Sequence, residues 1–520
     1  MTKYRIFRTS LILLALIIVF FLYLPGMNGG LYYDDLRPLG NLAFIQDTNS
    51  ALHYIFSETS GPLGRPISMF SFWVQANSWP NSPENFLLFN IILHCINTLI
   101  VFIMCNLILR LYELNKNINF LYDPFYIALA IAFLWAILPL NVSSSLITVQ
   151  RMATLSAFFV FSGIAIYCYG LVVQCRTLPA SRIEASKSNR YLLLGLVPFT
   201  LLAMFSKENG ILLPLLIFTI EITLFKNISQ LSYNRKIRLW ITFLSLCVVL
   251  CYLTFYALNS EHLYSFRQFT LSERIQTEMF VLLDYIRLAF IPSIYSYNPF
   301  HDNYPIISIC SNKGLIALLS WLAIVGIAIY CRKAFSILIF AVIWFLVAHI
   351  LESTVIALEI YFEHRNYVAL VGPCFLIVAI VNKIPPKYKK LYIISLSIYS
   401  VIVMASLYQI TNLWSNKPLA AQHWYIQQTK SERATEYLAS QYLSAQQTKE
   451  ALQVIEQQVT ICPKCTTSAA QAMMLACTIN DEERTLFYYN NLESAIRLSN
   501  KIGNTPKVLG KLINTNSKCR

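Results

Sequence analysis

Eleven apolar runs separated by charged turns constrain this chain more than any other feature. They lie at 9–25, 86–109, 125–140, 153–175, 191–206, 209–225, 239–258, 314–331, 334–351, 366–382 and 391–410. In a lipid environment a run of this kind must satisfy its backbone N–H and C=O groups internally, so each is expected as a helix. The chain is 13% charged, against roughly a quarter in soluble domains, and its mean hydropathy is +0.54. The fold class expected is therefore an all-α polytopic membrane protein with about eleven spans. The first run follows Lys3, Arg5 and Arg8, but Tyr23-Leu-Pro-Gly26 makes a poor cleavage site, so it reads as a retained anchor.

The turns set the orientation. With the N-terminus inside, the inner segments carry Arg110 and Lys116; Arg176, Arg182, Lys187 and Arg190; Lys226, Arg235, Lys236 and Arg238; Arg332 and Lys333; and Lys383, Lys387, Lys389 and Lys390. The acids among them are Glu113, Asp123 and Glu184. Every even-numbered turn is basic, so one orientation satisfies the positive-inside rule throughout. The net charge of +14 then follows from topology and gives little reason to invoke nucleic acid. The outer face receives the loop 26–85, the loop 259–313 and the tail 411–520. Within the second loop, Glu278 to Pro292 is apolar but holds Asp284 and Arg287, and is expected as an interfacial or re-entrant helix.

The expected domains are a membrane part, 1–410, and a polar α-helical tail, 411–520. Residues 434–456 have the pattern of a tetratricopeptide-like helical hairpin, with a second, degenerate one over 466–500. The outer cysteines are Cys310, Cys462, Cys465, Cys477 and Cys519. Cys462-Pro-Lys-Cys465 lacks the second pair or His partner of a zinc site. A structural disulfide joining Cys462 or Cys465 to Cys477 is expected instead.

Charged groups gather on the outer side. Asp34 and Asp35 follow the first run, Arg65 lies in the same loop, and Arg151 begins the fourth span. Lys207 and Glu208 occupy one tight turn, and Glu363, His364 and Arg365 open the tenth span. His301 and Asp302 lie late in the second loop, while His349 and Glu352 close the ninth span. Charge at membrane depth costs several kcal/mol unless paired or functional, roughly. A carboxylate beside an apolar wall suits proton abstraction from a hydroxyl. Arg, Lys and His suit a departing phosphate. In the second span Asn90, His94 and Asn97 form a polar stripe, which either contacts substrate or knits helices together.

Taken in order, Tyr33-Asp-Asp-Leu36, Gly64-Arg-Pro-Ile-Ser68, the Asn90/His94/Asn97 stripe, Val149-Gln-Arg151, Ser206-Lys-Glu-Asn-Gly210 and Glu363-His-Arg-Asn-Tyr367 resemble bacterial members of the TMTC-type, protein O-mannosyltransferase-like family. The resemblance covers roughly 9–410. It implies a GT-C glycosyltransferase bundle that takes a sugar from a polyprenyl-phosphate donor, with an acidic first-loop residue as base: Asp34 or Asp35, with Asp34 preferred. It also implies a bacterial inner membrane setting with the active site and tail facing the periplasm. The acceptor expected is a Ser or Thr hydroxyl of a pilin or other envelope protein, positioned by the tail. The departing phosphate is expected to move toward Arg151, Lys207 and Arg365, with inversion at the anomeric carbon. The resemblance settles neither the sugar nor the use of a divalent metal, and no metal ligands are assigned. A lipid A or glycolipid-modifying transferase, an O-antigen ligase and a flippase of lipid-linked sugar are the rival readings. The first-loop carboxylates count against the ligase, and the lack of half-to-half symmetry counts against the transporter.

Overall fold

In the computed structural model the described residues are 2–59, 61–114, 120, 122–176, 182–226, 228–231, 234–265, 267–463 and 465–500. Every regular element among them is a helix. Lys116 and Cys519 lie outside the described residues.

Seven helices are long and apolar enough to cross a membrane: Lys3–Gly29, Pro83–Glu113, Thr148–Cys175, Ser186–Ser206, Arg235–Asn259, Asn312–Cys331 and Pro386–Ser415. Two bent pairs bring the number to nine if each is one span: Pro124–Ile137 with Pro139–Leu146, and Glu363–Ala369 with Val371–Asn382. The other two runs of the expected eleven are helical but short. Residues 209–225 hold the 3-10 turn Glu208–Leu212 and the helix Leu213–Thr223; residues 334–351 hold Ser336–His349. Fourteen residues of helix reach about 21 Å, less than a bilayer core of roughly 30 Å.

The bends have local causes. Pro139 has no N–H to give the preceding turn, and the chain turns by 59° there. Pro373 sits just beyond the second bend, of 52°, where Gly372 lets the backbone approach Trp344. A Cβ on Gly195 would lie 2.5 Å from the Gly163 carbonyl oxygen, so the helices Arg151–Arg176 and Arg182–Ser206 meet backbone to backbone. Residues Glu278 to Pro292 fall largely in one helix, Leu271–Phe290, opened by a Thr270–Glu273 capping box. That helix is not among the candidate spans.

The first loop is itself structured. Helices Tyr33–Gly40, Thr48–Phe56 and Pro66–Trp73 bury Leu39, Tyr54, Ile55 and Phe72 against Phe86 and Met152. This anchors the loop to the starts of the Pro83–Glu113 and Arg151–Arg176 helices.

The chain divides into two compact units. One is Met1–Tyr297 with Ile306–Ser415; the other is Asn298–Pro305 with the chain from Asn416 onward. In the second unit the helices Glu432–Ser444, Thr448–Ile461 and Thr466–Thr478 pack through Ala439, Ala451, Ala469, Ala472 and Ala476. Small residues there allow close crossings between the helices of each hairpin. Cys462 and Cys465 are bonded to each other, and neither pairs with Cys477. One ends a helix and the other begins the next, and the turn leaves their Cα atoms 5.4 Å apart, within disulfide reach.

Candidate active site

Asp34 and Asp35 share the first turn of Tyr33–Gly40 but have opposite environments. Asp34 is exposed. Asp35 is fully buried, with Oδ2 accepting from Tyr32 N–H at 2.8 Å and Oδ1 from Val149 N–H at 2.6 Å. Burial pushes its carboxyl up to about 7, against the pull of the Tyr32, Val149 and Thr148 backbone donors. With both oxygens occupied, Asp35 fastens the first loop to the segment leading into the Arg151–Arg176 helix.

Arg65 follows Gly64 at a tight turn where both residues have left-handed backbones, φ 70° and 50°. That conformation is unfavourable for a residue with a Cβ. Here it aims the guanidinium as a fork at Glu208, with Nη2 donating to Oε2 at 2.9 Å and Nε at 3.1 Å. Ser68 Oγ donates to the Ser206 carbonyl at 2.9 Å, so the loop is clamped to the 206–208 turn at two points. In that turn Lys207 Nζ pairs with Glu352 at 2.8 Å, each side chain only 9% exposed. Burial pushes the Glu352 carboxyl up, but Lys207, Arg365 and His364 outweigh it and hold it well below the usual glutamate range.

Glu352 begins a segment held by Arg274, whose guanidinium donates to the carbonyls of Glu352 (2.6 Å), Thr354 (3.0 Å) and Leu358 (2.5 Å). Glu278 pairs with Arg274 at 2.9 Å and with Arg365 at 3.5 Å. The turns assigned to one face by the charge pattern are thus tied to one another through named contacts.

Between them lies a small, partly open cleft. Its polar lining includes Lys207, Asn209, Glu352, His364 and Arg365, and its apolar lining includes Ala153, Ala157, Val160, Leu212, Leu216 and Ala348. Ala153, Ser156, Ala157 and Val160 share one face of the Arg151–Arg176 helix, over about 10 Å at ~1.5 Å per residue.

Several expected site residues are not in this cleft. Arg151, placed by the sequence at the departing phosphate, is fully buried; it donates to Asn90 Oδ1 (2.8 Å) and to the carbonyls of Ser71 and Phe86 (3.0 Å each). Its guanidinium also stacks on Phe72 and Phe89, 4.7 and 4.2 Å from the ring centroids. Its donors are spent on the protein itself. His94 is likewise structural, with Nδ1 2.8 Å from the Tyr367 hydroxyl and Nε2 3.1 Å from the Ala136 carbonyl. Asn97 donates to Tyr367 Oη and to the Thr154 carbonyl. The polar stripe therefore knits helices together. His301 and Asp302 belong to the second unit, where Asp302 accepts from Ser431 Oγ, and neither lines the cleft. Glu363 is buried beside the cleft residues His364 and Arg365 but is not part of the lining. Among the described residues no three His, Cys, Asp or Glu side chains converge as a metal ion would need.

Sequence reasoning noted Glu352 without assigning it to the site, and it missed Arg274 and Glu278 as its supports. Their signal was faint: an Arg and a Glu at i, i+4, of which only Glu278 falls in the stretch 278–292 read as interfacial or re-entrant.

The fold defines a helical, multi-pass membrane protein, with a cleft lined by both charged and apolar side chains. The chain is 24% identical over 178 residues to a protein named Protein O-mannosyl-transferase F38B6.6, from Caenorhabditis elegans. The match spans 32% of this chain and 24% of that protein, so the chain corresponds to about a quarter of its relative's length. No protein-family model and no solved structure matches the chain.

Proposed function

We propose that this protein is a GT-C glycosyltransferase that moves a sugar from a polyprenyl-phosphate donor to a Ser or Thr hydroxyl of an acceptor protein. The observation that carries this reading is the cleft, which is lined both by the cations Lys207 and Arg365 and by apolar side chains. A lipid phosphate has the same two-part chemistry: an anion for Lys207, His364 and Arg365, and a hydrocarbon tail for the wall from Ala153 to Val160. The distant likeness to a protein O-mannosyltransferase supports a protein acceptor.

In this mechanism Asp34 takes the proton of the acceptor hydroxyl, since it is exposed while Asp35 is locked by backbone donors. The hydroxyl oxygen bonds to the anomeric carbon as the carbon–oxygen bond to phosphate breaks. The phosphate leaves with the bonding pair toward Lys207 and Arg365, and the single displacement inverts the anomeric centre. The setting is a bacterial inner membrane with site and tail facing the periplasm, and a pilin or other envelope protein is the acceptor. The tail, of tetratricopeptide-like hairpins, presents that acceptor.

Wild type, Asp34→Asn and Asp35→Asn are expressed at matched levels, and intact envelope-protein masses are compared with those of a deletion strain. A sugar-sized increment lost with Asp34→Asn is expected, as removal of a general base costs about 10²–10⁴ in rate. Unchanged protein masses with an altered glycolipid profile would assign the acceptor to lipid and refute this reading.

A further inference from the structure

Lys207 is paired within the protein itself. Its ammonium lies 2.8 Å from Glu352 Oε1, and both groups line the cleft with His364 and Arg365. With 9% of each side chain exposed, a bare Lys207 would be an uncompensated charge nearly out of water. Glu352 removes that cost, and it occupies a donor that an incoming anion needs.

We propose that Glu352 is a built-in competitor for Lys207: it holds the Lys207 ammonium until the lipid phosphate binds, yields to that phosphate, and returns to expel the product phosphate. The inference rests on the lipid-phosphate reading above. Its support is the way the residue is held. Arg274 grips the segment by the main-chain carbonyls of Glu352, Thr354 and Leu358, so the carboxylate can leave Lys207 while the backbone stays anchored. Lys207 and Arg365 keep the carboxyl ionised through the physiological range, which makes the competition permanent. Glu352 thus acts through Lys207 as a positioning residue. Its cost to donor binding is offset by faster release of a product that carries more charge than the donor.

The test uses the full-length protein in detergent or nanodiscs, with geranylgeranyl phosphate as the anionic probe and geranylgeraniol as its uncharged counterpart. Binding is measured for wild type, Glu352→Gln and Lys207→Met. In Glu352→Gln the phosphate is expected to bind at least tenfold tighter and dissociate more slowly, with the alcohol unaffected. In Lys207→Met the preference for phosphate over alcohol falls. In transfer assays Glu352→Gln lowers KM for the donor and lowers kcat with it, a split that a merely structural role would not produce. Equal or weaker phosphate binding by a folded Glu352→Gln overturns the inference while leaving the lipid-phosphate reading intact. If Glu352→Gln does not fold, Glu352→Asp, which withdraws the carboxylate by one methylene, is expected to show the same tightening, and its absence is equally decisive. Wild type that binds phosphate no better than alcohol overturns both.

Discussion

Arg151→Lys separates two roles that one buried cation could have. The guanidinium supplies three donors from three nitrogens, to Asn90 Oδ1, Ser71 O and Phe86 O at 2.8–3.0 Å, and two Phe rings sandwich it. A lysine ammonium is a single point of donation and cannot reach three acceptors arranged around a planar fork. Two of the buried acceptors would lose their partner, at about 1–3 kcal/mol each. Weaker ring stacking adds about 0.5–1 kcal/mol. The expected loss is therefore about 2.5–7 kcal/mol, enough to lower the melting temperature by several degrees and to reduce the amount of protein in the membrane. The assay is thermal unfolding of purified wild type and variant in one detergent, alongside binding of an isoprenyl phosphate to whatever folded variant is recovered. A phosphate ligand would behave in the opposite way, keeping the melting temperature and losing anion binding. That outcome would refute the structural role argued for Arg151.

Three further variants test other parts of the architecture. The Asp35 carboxyl lies at about 7 in the folded protein against a usual 3.8, so its contribution to stability is full below about pH 4 and is lost as pH rises to 7. Asp35→Asn should remove that slope, worth about 2.7 kcal/mol between melts at pH 5 and pH 8 at ~1.36 kcal/mol per pKa unit. Tyr367→Phe strips the hydroxyl shared by His94 and Asn97 and should cost about 1–3 kcal/mol in a detergent melt. A Cβ on Gly210 would lie 2.2 Å from the carbonyl carbon of Ala203 and 2.4 Å from Met204 N, so Gly210→Ala should fail to accumulate in the membrane, as measured by immunoblot.

The helices were legible where hydropathy alone decides. All eleven apolar runs fall on helical segments, because lipid leaves a backbone little alternative. Length and continuity were less so. The break at Pro139 lies inside the apolar run 125–140, and the Leu213–Thr223 helix starts late because 208–212 form a 3-10 turn carrying Gly210 into the Ala203 backbone. At the site, Lys207, His364 and Arg365 could be grouped because charge beside lipid needs a reason. Arg151 satisfied the same criterion, but its internal partners were not legible, since two of its three acceptors are main-chain carbonyls, which no residue type announces. The unequal burial of Asp34 and Asp35 was also invisible, because it depends on Val149, more than a hundred residues away.

The second unit takes Asn298–Pro305 from the loop that joins two helices of the membrane part. Within that unit Asn298 donates to the Trp424 carbonyl, Phe300 packs against Trp424 and Tyr437, and Asp302 accepts from Ser431. The tail is therefore discontinuous in the gene. A recombination event that replaced everything after Ser415 would deliver helices from one parent and their internal strap from the other. Heritable exchange of this unit between relatives requires two coordinated crossovers on either side of 298–305 as well as one near 416. Selection on the tail should then leave paired changes in two distant stretches of coding sequence.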